Sequence, residues 1–407
     1  MQKRKKARHF NLPLFLILKA TYEQFLKYKY NVHVQNRELL KQLKPPFILV
    51  PNHVALLDPP IVNIFIHHRI HFVMADANLR TRFTRWVFIK LAAVIPKTKA
   101  TSDSTTVRQL IKFARAKHVL CVFPEGRASW DGLTHDIFFS TAKLLKALKI
   151  PVVVPLIHGG YLSQPRWSPH MRRGKIIIDY QKLFDGPECA DMSAEDIFEE
   201  LTKKLYHNDY EFQKRTGILY KSKRGAEYLE RLLFICPHCK EMMTLRSEGN
   251  RFLCTHCGFE NRWTEEGLLE PVNDQNQPVR RVYEWSQWQL DVLEAIIRDR
   301  QSVHSDKPLF EDKNVTLKTG YKYEPLKERL TGTMRLFVDR FQLEGANGQK
   351  EVFAIDDIYG VQVLLGNNFE FYRGQTLYKF QFDNERTSGY KYMAAVQKMA
   401  PEKAELE

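Results

Sequence analysis

The sequence predicts an α/β domain with a mostly parallel central sheet, followed by two smaller modules. Over the first half of the chain, short continuous apolar runs typical of buried strands alternate with helical stretches. The second half contains a compact group of four cysteines and then a series of short strand-and-turn segments. This change of pattern within 407 residues indicates two or three domains.

The elements of the first domain follow from these runs. Strands are expected at 47–50, 119–123, 152–157 and 175–180. Helices are expected between them at 60–67, 81–91, 105–116 and 140–148. Residues 1–44 are predicted to be helical, because two consecutive prolines, Pro45 and Pro46, end that segment. The first domain is therefore placed at 45–215.

The later boundaries follow changes of composition and of periodicity. We expect a helical linker at 216–232, the cysteine module at 233–262, a linker with a helix at 263–307, and a β-rich module at 308–402. The last module shows about seven short strands and one final helix, a pattern that resembles a pleckstrin-homology-like domain.

The N-terminal segment predicts contact with a membrane surface. A net charge of +15 suits phosphate-bearing partners, namely nucleic acid, anionic lipid or a phosphorylated substrate. Five basic residues precede a short apolar run at 10–18: Lys3, Arg4, Lys5, Lys6 and Arg8. No run approaches the roughly 20 apolar residues that span a bilayer, so the segment is expected to lie in the interface. The alternative is a core helix preceded by a disordered tail.

His53 and Asp58 are the predicted catalytic pair. They directly follow the first strand, and sites in open α/β sheets form at the carboxyl ends of strands. A neutral imidazole can take a proton from a hydroxyl that attacks a carbonyl, provided that a carboxylate fixes its tautomer. The alternative is structural, since Asp58 before Pro59 suits the start of a helix.

A second motif follows the second strand. Glu125 can accept hydrogen bonds from substrate hydroxyls, Gly126 permits a close backbone approach, and Arg127 can hold a phosphate through two hydrogen bonds. The alternative is an ordinary strand-to-loop turn with a solvated arginine.

The first 215 residues resemble the lysophosphatidic acid acyltransferase family of glycerolipid acyltransferases. The N-H-x-x-x-x-D block matches His53 and Asp58, the F-P-E-G block matches 123–126, and a V-P pair matches 154–155, in the order typical of the family. Lys97 stands where the second block of the family usually has arginine.

This resemblance implies an activity and roles for these residues. His53 is expected to be the general base and Asp58 its orienting partner. Glu125, Gly126, Arg127 and Lys97 are expected to bind the glycerol-phosphate part of the acceptor, and Pro155 to shape the acyl site. The expected reaction transfers a fatty acyl chain from acyl-CoA or acyl carrier protein to a lysophospholipid-type acceptor, with no catalytic cofactor. The resemblance also implies peripheral attachment to the membrane, here expected on its cytoplasmic face.

The four clustered cysteines predict a structural zinc ribbon: Cys236, Cys239, Cys254 and Cys257. Two C-x-x-C pairs at this spacing supply four thiolates, which satisfy tetrahedral Zn²⁺ and leave no open position. With no cleavable signal peptide in the sequence, the cysteines are expected to bind metal in a reducing compartment rather than form disulfides.

These observations favour a membrane-surface O-acyltransferase of phospholipid synthesis, with 1-acyl-sn-glycerol 3-phosphate as acceptor and phosphatidic acid as product. The alternative is a non-catalytic adaptor that binds lipid or nucleic acid through the zinc ribbon and the C-terminal module. The intact His53 and Asp58 argue against an adaptor, and the concentration of charge in a segment that leads into apolar residues argues against nucleic acid.

Overall fold

A computed structural model describes residues 12–75, 79–91, 93–97, 104–272, 280–321, 324–364 and 367–401. The five basic residues at 3–8 that predicted an interfacial segment lie outside the described residues, and so does the start of the apolar run that follows them. Among the helices that the structure does describe, none is both long enough and apolar enough to cross a bilayer.

A seven-stranded sheet forms the centre of the first domain. Its strands are β1 Val32–Gln35, β2 Ile48–Leu49, β3 Ile70–Ala75, β4 Ile95–Lys97, β5 Val119–Cys121, β6 Val152–His158 and β7 Ile176–Phe184. They lie in the order β1-β7-β6-β2-β5-β3-β4, and every pair is parallel except β6 with β7. The predicted, mostly parallel sheet is therefore confirmed.

Ten helices surround this sheet in the described residues: α1 Leu12–Tyr30, α2 Arg37–Gln42, α3 Asp58–Asn63, α4 Arg82–Arg85, α5 Ser104–Arg115, α6 Phe139–Leu148, α7 Gly160–Ser163, α8 Gly186–Asp191, α9 Ala194–Leu205 and α10 Asp209–Thr216. A π-helical stretch, Trp86–Leu91, continues α4.

Along β6, Val153 and Ile157 enter one core while Val152 and Val154 enter another. Because both faces of β6 are buried, its sequence is a continuous apolar run.

Two segments differ from the sequence prediction. Residues 32–35 were expected to be helical, but they form β1, which pairs with Ile176–Asp179. The helix ends before them because Asn31 has a φ of 48°. The linker at 216–232 was also expected to be helical, but it contains only one 3₁₀ turn, Leu229–Arg231. Gly217, at a φ of 66°, ends α10, and Lys221 then forms an isolated antiparallel bridge with Arg173 of the first domain.

The cysteine module contains a four-stranded antiparallel sheet: β8 Leu245–Glu248, β9 Arg251–Cys254, β10 Glu260–Trp263 and β11 Leu269–Pro271. The predicted helix after it is α11, Val282–Ser302. The indole nitrogen of Trp285 donates to Ile235 O at 2.9 Å, so α11 is fixed against the cysteine module.

The C-terminal module is a curled antiparallel sheet followed by one helix. Its strands are β12 Phe310–Tyr321, β13 Lys327–Leu336, β14 Arg340–Gly345, β15 Lys350–Ala354, β16 Tyr359–Leu364, β17 Asn368–Arg373 and β18 Thr376–Phe382. The final helix α12, Gly389–Met399, buries Tyr392 and Val396 against the sheet. Seven strands and one helix confirm the predicted pattern, and the likeness to a pleckstrin-homology-like domain stays a prediction.

One hydrophobic core runs through all three parts of the chain. It includes Leu26 of α1, Cys236 of the cysteine module and Tyr392 of α12. Packing therefore holds the C-terminal module directly against the first domain.

Candidate active site

The loop after β2 carries His53 at the carboxyl end of the sheet. The backbone nitrogen of His53 donates to Glu125 Oε1 at 2.6 Å, and its carbonyl accepts from the nitrogen of Ser129 at 2.8 Å. The preceding residue, Asn52, uses its side-chain amide to bond both the carbonyl (3.0 Å) and the nitrogen (2.8 Å) of Ile157. These bonds join the ends of β2, β5 and β6 and fix the backbone from which the imidazole projects.

Asp58 holds the imidazole of His53. The His53 Nδ1 lies 2.7 Å from Asp58 Oδ2. The same carboxylate oxygen accepts from the backbone nitrogens of Val54 (2.6 Å) and Ala55 (2.9 Å). Asp58 is fully buried, and this burial raises its pKa, against the lowering effect of its hydrogen bonds to His53 and the backbone. The carboxylate thus turns back toward the loop before α3 instead of capping α3.

The second nitrogen of His53 is available for chemistry. With Nδ1 donating to Asp58, Nε2 carries the lone pair, and no hydrogen bond within the described part of the chain reaches it. The side chain is 19% exposed, and its ring lies against Phe123 with a centroid separation of 4.4 Å. This arrangement is what a general base needs: one nitrogen fixed and the other facing outward.

Both carboxylate oxygens of Glu125 accept hydrogen bonds from backbone nitrogens. Its Oε1 accepts from the nitrogen of His53, and its Oε2 accepts from the nitrogen of His135 at 3.0 Å. Burial raises its pKa to about 8. In this structure Glu125 therefore positions two loops, and its contact with a substrate hydroxyl stays a prediction.

Gly126 and Lys97 meet at Phe138. Gly126 has a φ of 66°, and a Cβ on it would lie 2.5 Å from the Phe138 ring, so both its conformation and its surroundings require glycine. The Nζ of Lys97 lies 5.9 Å from the centroid of the same ring. Pro155, by contrast, is buried within β6 opposite Tyr180 of β7. The structure thus groups Lys97 with the loop after β5 and places Pro155 inside the sheet.

Arg127 contacts the C-terminal module, and a second arginine that the sequence analysis missed lies beside it. The guanidinium of Arg127 faces the amide of Gln397 on α12 and donates to its oxygen when that amide is turned toward it. Arg166 donates to the carbonyl of Ala128 at 3.1 Å and to that of Val363 on β16. Burial and the nearby charge of Arg127 lower the pKa of Arg166 to about 10. No motif marks Arg166 in the sequence, so only the folded chain identifies it.

The four predicted metal ligands come together. Their Sγ atoms all lie within 4.8 Å of one another, and the Cys236–Cys257 and Cys239–Cys254 pairs are each 3.8 Å apart. A tetrahedron with Zn–S bonds of about 2.3 Å has edges of about 3.8 Å, so the geometry fits the ion. Each C-x-x-C pair is followed at once by a residue with positive φ, Lys240 and Gly258, which closes the turn. All four positions are filled by sulfur, so this site is suited to a structural metal.

Comparison with solved structures gives two likenesses. The first is the crystal structure of the 1-acyl-sn-glycerophosphate acyltransferase PlsC from Thermotoga maritima, with 20% identity, a TM-score of 0.42, and coverage of 54% of this chain and 86% of that one. The second is the 8S snRNP assembly intermediate, with 14% identity, a TM-score of 0.19, and coverage of 24% of this chain and 84% of that one.

Comparison of sequences is more specific. Among curated proteins, none matches the chain at a significant level. A family model described as acyltransferase matches residues 31–158. That stretch begins just before β1 and ends with β6, so it contains His53, Asp58, Glu125 and Arg127 and excludes the cysteine and C-terminal modules. The candidate active site therefore lies within an acyltransferase-type segment.

Proposed function

We propose that this protein is an O-acyltransferase that moves a fatty acyl chain from a thioester to a hydroxyl of a glycerolipid precursor. The observation that carries the proposal is the His53–Asp58 pair, with Nδ1 bound and Nε2 open, inside the segment that matches the acyltransferase family model. General-base catalysis of acyl transfer needs an imidazole in this state.

In the proposed reaction, His53 Nε2 takes the proton of the acceptor hydroxyl as its oxygen attacks the thioester carbonyl. Asp58 fixes the tautomer of the imidazole and stabilises the imidazolium that forms. Collapse of the tetrahedral intermediate breaks the C–S bond, and the proton returns from His53 to the leaving sulfur. The products are an ester and a free thiol, and no cofactor takes part.

The proposed donor is acyl-CoA or acyl carrier protein, and the proposed acceptor is 1-acyl-sn-glycerol 3-phosphate, which gives phosphatidic acid. A cationic residue in the loop after β5 supports a phosphate-bearing acceptor. Arg127 lies two residues beyond Glu125, whose carboxylate bonds the backbone of His53. A guanidinium suits phosphate because its donors match two phosphate oxygens.

The proposed place of action is the cytoplasmic face of an anionic membrane. Supporting this proposal, α1 exposes large apolar side chains: Ile17 is 61% exposed, Phe25 50% and Tyr28 92%. The basic residues at 3–8 precede this helix in the sequence, and such charges attract anionic headgroups.

An assay with purified protein tests the activity. The full chain is incubated with labelled acyl-CoA, or in parallel with acyl carrier protein, and with 1-acylglycerol 3-phosphate in lipid vesicles, and the products are identified by mass. We expect labelled phosphatidic acid and release of one thiol per ester formed. If neither donor gives an acylated lipid, the enzymatic proposal is wrong, and the adaptor alternative gains support.

We also propose that zinc occupies the four-cysteine site and stabilises the fold. Metal analysis of the full chain is expected to give one Zn²⁺ per molecule, bound by Cys236, Cys239, Cys254 and Cys257. Replacing Cys254 by serine is expected to lower both the zinc content and the melting temperature. A chain that folds equally well without metal would contradict a structural role.

A further inference from the structure

The helical element that connects β3 to β4 exposes large apolar side chains. It consists of α4 and its π-helical continuation, and we call it the aromatic element. Phe83 is 73% exposed and Trp86 is 57% exposed, and the exposed Arg85 lies between them in the sequence. None of the described side chains of the aromatic element is buried. Single exposed apolar residues are common on soluble proteins, but a surface helix normally turns its apolar side toward the core.

The sequence around the aromatic element carries charge of one sign. Between Asp76 and Asp103 the chain has no acidic residue. The same stretch contains these basic residues: Arg80, Arg82, Arg85, Lys90, Lys97 and Lys99. Indole rings and basic side chains on one short helix suit a bilayer interface, because the ring lies at headgroup level and the cations meet lipid phosphate. The aromatic element therefore matches an anionic lipid surface in both polarity and charge.

Backbone bonds hold the aromatic element at both ends. At its start, the nitrogen of Thr84 donates to Thr81 Oγ1 at 3.0 Å. Toward its end, the carbonyl of Phe88 accepts from the nitrogen of Val94 at 2.9 Å. The exposed aromatic side chains are thus presented by an element whose backbone is fixed.

Arg80 joins the start of the aromatic element to the C-terminal module. Its Nη1 donates to the carbonyl of Glu324 at 3.1 Å and to that of Gly320 at 3.4 Å. Arg80 is only 8% exposed, and the preceding Leu79 is fully buried. The C-terminal module therefore supports the start of the aromatic element and leaves Phe83 and Trp86 exposed.

The aromatic element begins at the edge of the sheet that carries His53. β2 and β3 both run parallel to β5, which lies between them. Their carboxyl ends therefore share one edge and lie about 10 Å apart, since neighbouring strands are spaced by about 4.8 Å. His53 follows β2, and the aromatic element follows β3. Leu56, three residues after His53, is also 71% exposed.

We propose that the aromatic element is a second membrane contact, which inserts Phe83 and Trp86 into the interface of an anionic bilayer. Its four α-helical and six π-helical residues are too few to span a bilayer and suffice to lie in its surface. The contact turns the edge that carries His53 toward the lipid. This proposal extends the proposed membrane attachment beyond α1, and it does not depend on acyl transfer.

Tryptophan fluorescence tests the insertion directly. Of the six tryptophans only Trp86 is exposed; Trp288 is partly buried and the other four are buried. The full chain is mixed with phosphatidylcholine vesicles, with and without phosphatidylglycerol. We expect the vesicles that contain phosphatidylglycerol to shift the emission to shorter wavelength, and lipids brominated on the acyl chains to quench it. Trp86→Phe, which keeps an aromatic ring, is expected to bind the vesicles and to lose both signals.

Vesicle sedimentation measures the contribution to binding. Replacing Phe83 and Trp86 together by serine is expected to weaken partitioning into anionic vesicles by about 10- to 100-fold, because two apolar side chains no longer enter the interface. Val303→Ser is the matched control, since Val303 is 66% exposed at the end of α11. It is expected to leave partitioning within about twofold of wild type. Urea unfolding of each variant checks that the fold is kept.

Two results would overturn the proposal. One is an emission of wild type that anionic vesicles leave unchanged. The other is a double serine variant that binds vesicles like wild type. If that variant also loses a dimer that wild type forms in analytical ultracentrifugation, the exposed surface belongs to a contact between two copies of the chain.

The same preparations separate this proposal from the proposed reaction. If the Trp86 signals appear and no acylated lipid forms, the membrane contact stands and the proposed reaction fails. If acylated lipid forms and the Trp86 signals are absent, the membrane contact fails alone. Equal binding to vesicles with and without phosphatidylglycerol would contradict the part given to the basic residues.

Discussion

The protein contains two His–Asp pairs with nearly the same local geometry, and they differ in what the second histidine nitrogen does. His53 Nδ1 lies 2.7 Å from Asp58, and His207 Nε2 lies 2.6 Å from Asp209. Both aspartates are fully buried, and both accept backbone hydrogen bonds in addition to the imidazole. A short His–Asp contact in a buried place is therefore not sufficient to identify a catalytic base.

In the second pair, both imidazole nitrogens of His207 have a partner. His207 Nδ1 lies 3.2 Å from Nδ1 of His158, whose ring stacks on Phe212 and whose pKa burial lowers to about 4. Asp209 binds the backbone at the start of α7, accepting from the nitrogens of Gly159 (2.7 Å), Tyr161 (2.8 Å) and Leu162 (3.2 Å). This pair fastens α10 to the end of β6. In the pair at His53, the second imidazole nitrogen has no hydrogen bond from the described part of the chain. This difference distinguishes a candidate general base from a pair that only stabilises the fold.

Replacement of His53 by alanine gives the largest expected loss of activity. Without the base, kcat/KM for acyl transfer is expected to fall by roughly 10³-fold or more. The free energy of unfolding is expected to change little, because the backbone bonds of residue 53 remain. Activity assays and urea unfolding of the same preparation check both parts. Activity within tenfold of wild type would mean that His53 is not the base.

Asp58→Asn is expected to have the next largest effect on activity. The amide can present its NH₂ group to Nδ1, which favours the wrong tautomer of His53 and withdraws the charge that stabilises the imidazolium. We expect kcat to fall by roughly 10²- to 10⁴-fold, as for the orienting carboxylate of other His–Asp sites. The pH dependence of kcat is the additional measurement. If Asp58→Asn has a normal kcat and a lower free energy of unfolding, then Asp58 has a structural role like that of Asp209.

Asp209→Asn is the matching substitution in the His207–Asp209 pair. It is expected to lower the free energy of unfolding rather than the activity. Three backbone N–H groups and His207 lose a charged acceptor, so the free energy of unfolding is expected to fall by about 3 kcal/mol. Below the unfolding transition, kcat/KM should stay within about threefold of wild type. Urea unfolding and the acyl-transfer assay together check this expectation. A loss of activity as large as that of Asp58→Asn would contradict the division between the two pairs.

Glu125→Gln is expected to give the smallest effect, visible in pH dependence. The pKa of Glu125 is raised from 4.5 to about 8, so its protonated form is favoured in the folded state. Its contribution to stability is therefore fully present below pH 4.5 and is lost as the pH rises through about 8. The stability of wild type relative to Glu125→Gln should fall across this window in urea unfolding. A difference that is constant with pH would show that Glu125 does not titrate there.

Much of the first domain could be predicted because short stretches of its sequence are enough to indicate several of its strands and helices. The apolar runs at β2, β5 and β6 are buried on both faces, so no polar residue interrupts them. Strands β1, β3 and β4 escaped prediction. β1 is four residues long with a mixed burial pattern, and only its pairing with β7 makes it a strand. β3 and β4 include partly exposed residues, so neither shows a continuous buried run.

The sequence by itself determined which chemical groups are available: a histidine and an aspartate five residues apart after a strand, and four cysteines in two close pairs. Short loops bring together His53 with Asp58 and the two cysteines of each pair, and the β8–β9 hairpin brings the two cysteine pairs together. The tertiary structure decided which groups are free to act. It engaged Glu125 with two backbone nitrogens and gave both nitrogens of His207 a partner. It also placed Arg127 of one domain against Gln397 of another, and Arg166 against Val363. Such contacts join residues far apart in sequence, and they depend on how the domains pack rather than on any local pattern.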